Sequence, residues 1–214
     1  MGRFDAVIFD LDGTLLDTSD GIIFTANETA KALGIPAVED RNLFERHFIG
    51  PPLHRGFAEV FGLDGGILEK AVDAYIRLYP ICGGAEMYGY YPGLVDAVHE
   101  LKKAGFRIGV STLKNEQVAR RMLLGSEFGD VFDTIHGSDH TESLTKRDII
   151  EMSLADLCVP RDRVLMVGDS ESDLNGARIA GIPFLAVSWG FGFHSGYGAE
   201  DVAYTSGELT GYLL

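Results

Sequence analysis

The sequence predicts an α/β fold with a doubly wound parallel sheet. Residues 6–9 form a short, continuous apolar run that ends at Asp10, which is typical of a strand buried on both faces. Further runs of this kind follow at residues 107–111, 131–135, 164–167 and 184–187. Helical patterns alternate with these runs, and this alternation indicates crossover connections between parallel strands.

The helical patterns are recognised by apolar residues at three- and four-residue spacing. They begin after Gly93, Asn115, Thr145 and Ser172, and Gly181 marks the end of the last one. Their apolar positions include Leu94, Val98, Leu101, Val118, Met122, Ile150, Leu154, Leu157, Leu174 and Ala177. Each pattern predicts a helix that packs one face against the sheet.

One stretch, residues 17–84, interrupts the alternation. It has no strong buried strand and instead shows helical patterns at residues 22–33, 40–48, 53–61 and 67–79. We therefore expect residues 1–16 and 85–214 to form the α/β core domain and residues 17–84 to form an inserted helical domain. Both ends of such an insert rejoin the core close together, so it is expected to move as a lid.

Composition excludes several classes of protein. The chain has 214 residues and a formal net charge of −14, so a general nucleic-acid binder or a protein of anionic membrane surfaces is not expected. No apolar run is long enough to span a bilayer. Cys82 and Cys158 are far apart and lack metal-ligand spacing, which predicts free thiols in a cytoplasmic protein.

Four polar segments stand at the predicted carboxyl ends of strands, where open α/β sheets bind ligands. The first is residues 10–14, in which Asp10 and Asp12 are two apart and are expected to share one site. Such a pair suits a nucleophile and a general acid–base group, although Asp-Gly is also a common turn. The second is residues 111–115, whose hydroxyl groups suit either a phosphate cradle or an ordinary helix cap.

The other two segments contribute a lysine and further acids. Lys146 opens a predicted helix, where it is either a phosphate ligand or a solvated surface residue. Gly168 and Asp169 follow a buried strand and suit a hard cation such as Mg²⁺, whereas Asp173 suits either the same site or the helix dipole. Together the four segments supply the charge neutralisation and proton management that phosphoryl transfer requires.

At this point the sequence resembles the haloacid dehalogenase superfamily in its phosphatase branch, over essentially the whole chain. Residues 9–15 match the DxDGT signature, residues 110–114 resemble the second motif, and residues 167–173 match the GDxxxD motif. Lys146 falls where the family's third-motif lysine is expected, and the helical insert is similar to a C1-type cap. Residues 48–53, 91–93 and 189–192 are most similar to phosphoglycolate-phosphatase-like members.

The resemblance implies a role for each matching residue. Asp10 would attack phosphorus and form an aspartyl-phosphate, and Asp12 would protonate the leaving alcohol and then activate water. Thr112, with Ser111 as the second choice, would bind phosphoryl oxygens. The remaining implied phosphate ligands are Gly13, the backbone N–H of Leu113 and Lys146. In the insert, Arg55 suits either a substrate carboxylate or sugar hydroxyl, or the solvated surface. The implied Mg²⁺ ligands are Asp10, Asp169, the backbone carbonyl of Asp12 and, less directly, Asp173.

The sequence thus predicts a Mg²⁺-dependent phosphatase that acts on a small-molecule phosphate monoester, as a monomer or homodimer. A β-phosphoglucomutase-like phosphomutase is an alternative, but residues 17–21 lack the basic or histidine residues expected of its cap. A 5′-nucleotidase or sugar-phosphate phosphatase of the same fold is another. A non-catalytic regulator would not need Asp10, Asp12 and Lys146 together.

Overall fold

The computed structural model describes residues 3–139, 143–192, 199 and 201–214. The chain divides into two compact units. We call Met1–Asp17 with Tyr90–Leu214 the core unit, and Thr18–Gly89 the inserted unit. The inserted unit includes the 3₁₀ helix Gly84–Glu86 and ends at Gly89.

A parallel sheet forms the centre of the core unit. The strands are β1 (Ala6–Phe9), β2 (Leu16–Asp17), β3 (Gly89–Tyr90), β4 (Arg107–Asn115), β5 (Thr134–Ser138), β6 (Val164–Gly168), β7 (Phe184–Val187) and β8 (Val202–Ala203). Within the described residues, six of them form one sheet in the order β5-β4-β1-β6-β7-β8, and β2 and β3 form a separate pair. The strands of the large sheet run parallel, with β1 between β4 and β6. The α/β fold class predicted from the sequence is confirmed.

The core unit's helices follow its strands. They are α5 (Leu94–Lys103), α6 (Glu116–Leu124), α7 (Lys146–Leu157), α8 (Glu171–Ala180) and α9 (Ser206–Leu213), numbered after four helices of the inserted unit. Both α7 and α8 begin with a capping box, in which Thr145 pairs with Asp148 and Ser170 pairs with Asp173. These caps fix the first turns of the two helices that carry Lys146 and Asp173.

Alternate residues of the central strands face α7 and α8. Ala6 and Ile8 of β1 and Met166 of β6 have no exposed surface and lie in one apolar cluster. The cluster also contains Ile150, Leu154, Leu157, Val164, Ala177, Ala180 and Ile182. Burial of this apolar face holds β1 and β6 rigidly in register, so their carboxyl ends are fixed relative to each other.

The inserted unit is helical and has an aromatic core. Its helices are α1 (Ser19–Ala32), α2 (Arg41–His47), α3 (Leu53–Phe61) and α4 (Gly65–Leu78). Phe44, Phe48, Phe57 and Tyr75 are buried in it, and the rings of Phe48 and Phe57 meet edge to face at 4.9 Å. This apolar cluster explains why these short helices read as amphipathic in the sequence.

The structure differs from the sequence-based expectation at several strands. Strand β4 extends to Asn115 instead of ending at residue 111, and the two-residue strands β2 and β3 were not predicted. The fifth strand lies at Thr134–Ser138 rather than at residues 131–135, because β4 pairs Gly109 with Thr134 and Ser111 with His136. The apolar residues Val131 and Phe132 precede it and do not belong to it. Strand β8 and helix α9 had no strong pattern in the sequence, yet β8 extends the sheet beyond β7.

Among the described residues, none of the helices has both the length and the apolar character needed to cross a bilayer. The polar segment 138–145, to which the sequence assigns no function, lies partly outside the described residues.

Candidate active site

Three strands bring the predicted motifs to one edge of the sheet. Phe9 at the end of β1 pairs with Val110 of β4 on one side and Val167 of β6 on the other. The backbone N–H of Asp10 donates to the carbonyl of Val167 at 2.9 Å, so Asp10 lies beside the start of the Gly168-Asp169 segment. Because the strands are parallel, residues that follow these positions emerge at the same edge.

Lys146 is the centre of the buried charge at this edge. Its Nζ lies 2.6 Å from Oδ1 of Asp10 and 2.7 Å from Oδ1 of Asp173, and it donates to the carbonyl of Ser111 at 2.8 Å. Only 5% of the Lys146 side chain is exposed. Burial alone would lower the pKa of Lys146, but the charges of Asp10 and Asp173 raise it above its usual value. The lysine therefore stays charged.

Asp169 is held by donors from two loops. Its Oδ1 accepts from the hydroxyl of Thr14 at 3.2 Å, and its Oδ2 accepts from the backbone N–H groups of Phe191 at 2.7 Å and Gly192 at 3.3 Å. Burial and the charge of Asp173 raise the pKa of Asp169 to about 7, although the Phe191 N–H opposes that rise. Neutral donors therefore fix the orientation of the Asp169 carboxylate, but its described hydrogen bonds include none from a charged group.

Asp173 is fully buried at the start of α8. Its Oδ2 accepts from the backbone N–H of Ser170 at 3.1 Å and from the Ser170 hydroxyl at 2.7 Å, which completes the capping box. Its Oδ1 forms an ion pair with Nζ of Lys146 but accepts no hydrogen bond among the described residues. These contacts fix the lysine's position as well as the helix terminus.

The acids form a group that a hard cation would fit. One carboxylate oxygen from each of Asp10, Asp169 and Asp173 lies within 4.8 Å of the others, and all three residues are buried. Burial and the charge of Asp173 raise the pKa of Asp10 well above its usual range, and Asp169 adds to the rise, although Lys146 opposes it. One buried ammonium does not compensate three carboxylates, and an all-oxygen donor set of this kind suits Mg²⁺.

Gly13 leaves space beside Asp169. It has a φ of +82°, in the left-handed region, and a Cβ built on it would lie 2.3 Å from Oδ2 of Asp169. A side chain at this position would therefore displace the carboxylate, which explains a glycine directly after Asp12. The same loop is closed by a hydrogen bond from the Gly13 N–H to the carbonyl of Leu16 at 2.9 Å.

The end of β4 separates the two candidate hydroxyl residues. Ser111 points toward α7, where its Oγ lies 2.8 Å from the hydroxyl of Ser153. Thr112 is the next residue, so its side chain lies on the opposite face, where Oγ1 accepts from the backbone N–H of Lys114 at 3.1 Å. This geometry favours Thr112 over Ser111 as the phosphate ligand. Leu113 follows with a side chain that is 45% exposed.

Asp12 lies at the same edge but outside the buried acid group. Its Oδ1 pairs with Nζ of Lys114 at 3.1 Å, and 24% of its side chain is exposed. The carboxylates of Asp10 and Asp12 thus have different ammonium partners. The contact between Lys114 and Asp12 is not predictable from the sequence, because a lysine two residues beyond Thr112 belongs to no recognisable pattern.

Arg55 lies on α3 of the inserted unit. Its Nε lies 2.8 Å from Oε1 of Glu59, one turn further along α3, and Oε2 of Glu59 lies 2.5 Å from Nδ1 of His47. These contacts hold the pKa of Glu59 below its usual value. Arg55 is therefore part of a surface charge group in its own unit.

Several residues that the sequence did not assign to the site make contacts that support it. The indole N–H of Trp189 donates to the carbonyl of Thr14 at 3.1 Å, and Phe191 and Gly192 hold Asp169. The Trp189–Gly192 segment had been noted only for its family resemblance. Its backbone function depends on where the loop after β7 passes, which no local pattern encodes.

The chain belongs to the haloacid dehalogenase-like hydrolase family. Residues 7–187 match the model for haloacid dehalogenase-like hydrolases, which confirms the family resemblance seen in the sequence.

The names of individual relatives indicate different activities. The chain is 36% identical over 187 residues to the tyrosine-protein kinase PtkA of Mycobacterium tuberculosis, covering 87% of this chain but 62% of that protein's length. It is 31% identical over 191 residues to a 5′-nucleotidase of Pseudomonas aeruginosa, covering 89% of this chain and 85% of the relative. A haloacid dehalogenase-like hydrolase from Streptococcus pneumoniae has a similar structure, with a TM-score of 0.87, 32% identity and 98% of each chain covered.

Proposed function

We propose that this protein is a Mg²⁺-dependent phosphatase that hydrolyses a small-molecule phosphate monoester through an aspartyl-phosphate on Asp10. The observation that supports this most strongly is the contact of Lys146 with Asp10 at 2.6 Å, beside Asp169 and Asp173, at the carboxyl end of the sheet. An ammonium and a cation at one carboxylate would allow a phosphate dianion to approach that carboxylate.

In the first half-reaction, an oxygen of Asp10 attacks phosphorus in line with the leaving group. The P–O bond to the alcohol breaks as the Asp10–phosphorus bond forms, and the proton of the Asp12 carboxyl group passes to the alcohol oxygen. Lys146, fixed by Asp173, offsets the negative charge of Asp10 and the phosphoryl group. Thr112 and the backbone N–H of Leu113 bind phosphoryl oxygens, and the lack of a side chain at Gly13 leaves the Asp169 carboxylate in place beside them.

In the second half-reaction, the Asp12 carboxylate accepts a proton from water as the water oxygen bonds to phosphorus. The bond between phosphorus and Asp10 then breaks, which returns Asp10 as a carboxylate and releases inorganic phosphate. Asp12 lies outside the buried acid group and its side chain is 24% exposed, which supports the proposal that it exchanges protons with an alcohol and with water. This separation of duties is what an acid–base residue beside a nucleophile requires.

Asp10 and Asp169 would hold the Mg²⁺, together with the backbone carbonyl of Asp12. When bound, Mg²⁺ supplies the positive charge that the buried carboxylates and a phosphoryl group together require. Asp173 borders the same site and, through its contacts to Lys146 and Ser170, chiefly fixes the lysine.

The substrate class in this proposal is a small phosphate monoester, with 2-phosphoglycolate the first candidate because of the sequence resemblance. The assignment of Arg55 as a substrate ligand stays a prediction from the sequence, and in the inserted unit Arg55 pairs with Glu59. We further propose that the enzyme acts in the cytoplasm, without nucleic-acid or membrane partners, as a monomer or homodimer; Cys82 and Cys158 are both free thiols.

The test is Mg²⁺-dependent hydrolysis of 4-nitrophenyl phosphate by the wild-type protein and two matched variants. We expect chelation by EDTA to stop turnover and Mg²⁺ to restore it, and Asp10→Asn to abolish it. Asp130→Asn, which makes the same change at an exposed position, is expected to retain full activity. Full activity in Asp10→Asn, or turnover unaffected by EDTA, would reject the proposal.

A kinase is the second candidate, favoured by the 36% identity to PtkA. The chain covers 62% of that relative's length, so its activity does not transfer directly. Incubation with ATP labelled at the γ-phosphate and a tyrosine-containing peptide separates the two functions. A kinase transfers the label to the tyrosine, whereas a phosphatase of phosphate monoesters leaves the peptide unlabelled and hydrolyses 4-nitrophenyl phosphate.

A further inference from the structure

The candidate site contains two lysine–carboxylate contacts with different partners. Lys146 contacts Asp10 and Asp173, whereas Lys114 contacts Asp12 at 3.1 Å. The proposed nucleophile and the proposed acid–base residue therefore each have their own ammonium group. The motifs identified in the sequence give a role to Lys146 and none to Lys114.

The backbone around Lys114 holds it at the edge of the sheet. Strand β4 continues to Asn115, and its pairing with β5 is irregular between Ser111 and Asn115. The Lys114 N–H donates to the Thr112 hydroxyl, and the Asn115 side chain then caps α6 by accepting from the N–H groups of Gln117 and Val118. The backbone of Lys114 is therefore fixed by its own hydrogen bond to Thr112 and by the helix cap at the next residue, Asn115.

The Lys114 side chain is unusually buried for a lysine. Only 10% of it is exposed, whereas a lysine side chain normally keeps its ammonium in water. Its ammonium instead faces Asp12, which follows the neighbouring strand β1. A partly desolvated charge pair of this kind has a stronger and more directional interaction than one at the surface.

We propose that Lys114 is a positioning residue for Asp12: its ammonium orients the Asp12 carboxyl group and stabilises the carboxylate that forms when the leaving alcohol takes the proton. This inference rests on the proposed function. As the ester P–O bond breaks and the Asp10–phosphorus bond forms, one proton passes from Asp12 to the alcohol oxygen. Lys114 keeps its own proton throughout, and negative charge appears on the oxygen atoms that it faces.

The dependence of rate on the leaving group tests this role. Phenyl phosphate has a more basic leaving group than 4-nitrophenyl phosphate, so its hydrolysis depends more on proton donation by Asp12. For Lys114→Met we expect kcat/KM to fall at least about tenfold with phenyl phosphate and less than about threefold with 4-nitrophenyl phosphate. The parameter kcat/KM is the appropriate one, because it covers the steps up to the cleavage of the ester bond.

Matched variants separate positioning from a general structural effect. Lys103→Met makes the same change at an exposed lysine of α5 and should leave both rates unchanged. Lys114→Arg keeps the charge and should recover most of the phenyl phosphate activity, and Lys114→Gln replaces Lys114→Met if that variant does not fold. In an Asp12→Asn background, adding Lys114→Met should change kcat/KM by less than about twofold, because the group that it positions is gone.

Equal losses on the two substrates, or an undiminished effect of Lys114→Met in the Asp12→Asn background, would overturn the inference while leaving the phosphatase proposal in place. A wild-type protein without Mg²⁺-dependent hydrolysis of either ester would overturn both.

Discussion

At the level of single residues, the main feature of the site is an excess of buried carboxylates over buried ammonium groups. Lys146 is almost fully buried and contacts Asp10 and Asp173 at 2.6 and 2.7 Å. Asp169 has donors from Thr14 and two backbone N–H groups but has no lysine contact among those described. The remaining negative charge explains the raised pKa values of Asp10 and Asp169 and favours a cation beside them.

Replacing Lys146 by methionine should affect both activity and stability. The variant leaves Asp10 and Asp173 buried without their ammonium, and loss of one partner of a buried ion pair typically costs about 3–5 kcal/mol. We expect the free energy of unfolding in urea, measured at pH 7 without Mg²⁺, to fall by about that amount, and phosphatase activity to fall more than about 100-fold.

The double variant Lys146→Met with Asp173→Asn provides the control, since the amide removes one of the uncompensated charges. It should regain part of the lost stability but none of the activity. Unchanged stability of Lys146→Met at pH 7 would contradict the central place given to this lysine.

At the scale of secondary-structure elements, loops and strand ends are tied by side chains that have no catalytic role. Asp133, just before β5, accepts from Nζ of Lys102 at 2.8 Å and from the N–H of Ile108 at 2.7 Å. Burial alone would raise the pKa of Asp133, but these two hydrogen bonds and the charges of Lys102 and Arg107 hold it below its usual value. One carboxylate thus joins the end of α5, the start of β4 and the approach to β5.

This ionised carboxylate should make stability depend on acidity. Because the folded-state pKa of Asp133 is lowered, its contribution is complete above the unfolded pKa of about 4 and disappears as the pH falls through the folded value. Asp133→Asn should therefore cost about 1 kcal/mol in urea unfolding at pH 7. The difference from wild type should shrink progressively below about pH 4. An equal difference at pH 7 and pH 3 would show that the charge of Asp133 is not what stabilises the fold.

The elements also show what the sequence determines locally and what it does not. The strands at residues 6–9 and 184–187 were predicted with the observed bounds, because each is a continuous apolar run in a buried position. The fifth strand was predicted three residues too early, since Val131 and Phe132 are apolar but precede the pairing that Thr134 begins with Gly109. Strand β8 has only two residues and depends on β7 for its pairing, so no local pattern predicts it.

For the site, too, the residues that belong to local patterns were predictable, whereas the contacts between distant segments were not. Asp10, Lys146 and Asp169 follow or precede recognisable elements, and the structure brings them together. The contacts of Asp12 with Lys114, and of Asp169 with Thr14 and the Phe191 N–H, depend on the paths of two loops. Such contacts join segments that are far apart in the chain, and sequence periodicity carries no information about them.

At the scale of the whole molecule, the site is assembled from distant parts of the core unit. Asp10 follows β1 near the start of the chain, and Asp169 follows β6, yet β1 and β6 are neighbours in the sheet. The protein has a formal net charge of −14, so its overall field repels an anionic substrate. In the proposed function, attraction of a phosphate would therefore come from the local group of lysines and backbone N–H donors and from the cation that the buried acids would hold.

The proposed mechanism requires that Asp10 becomes covalently phosphorylated. The most direct measurement is acid quenching of Asp12→Ala during turnover of 4-nitrophenyl phosphate with Mg²⁺, followed by peptide mass spectrometry. Loss of Asp12 removes the base that activates water, so the phosphorylated enzyme should accumulate, with one phosphoryl group on the peptide that contains Asp10. Phosphate on another residue, or product release in wild type with no phosphorylated Asp10 in either protein, would contradict the account.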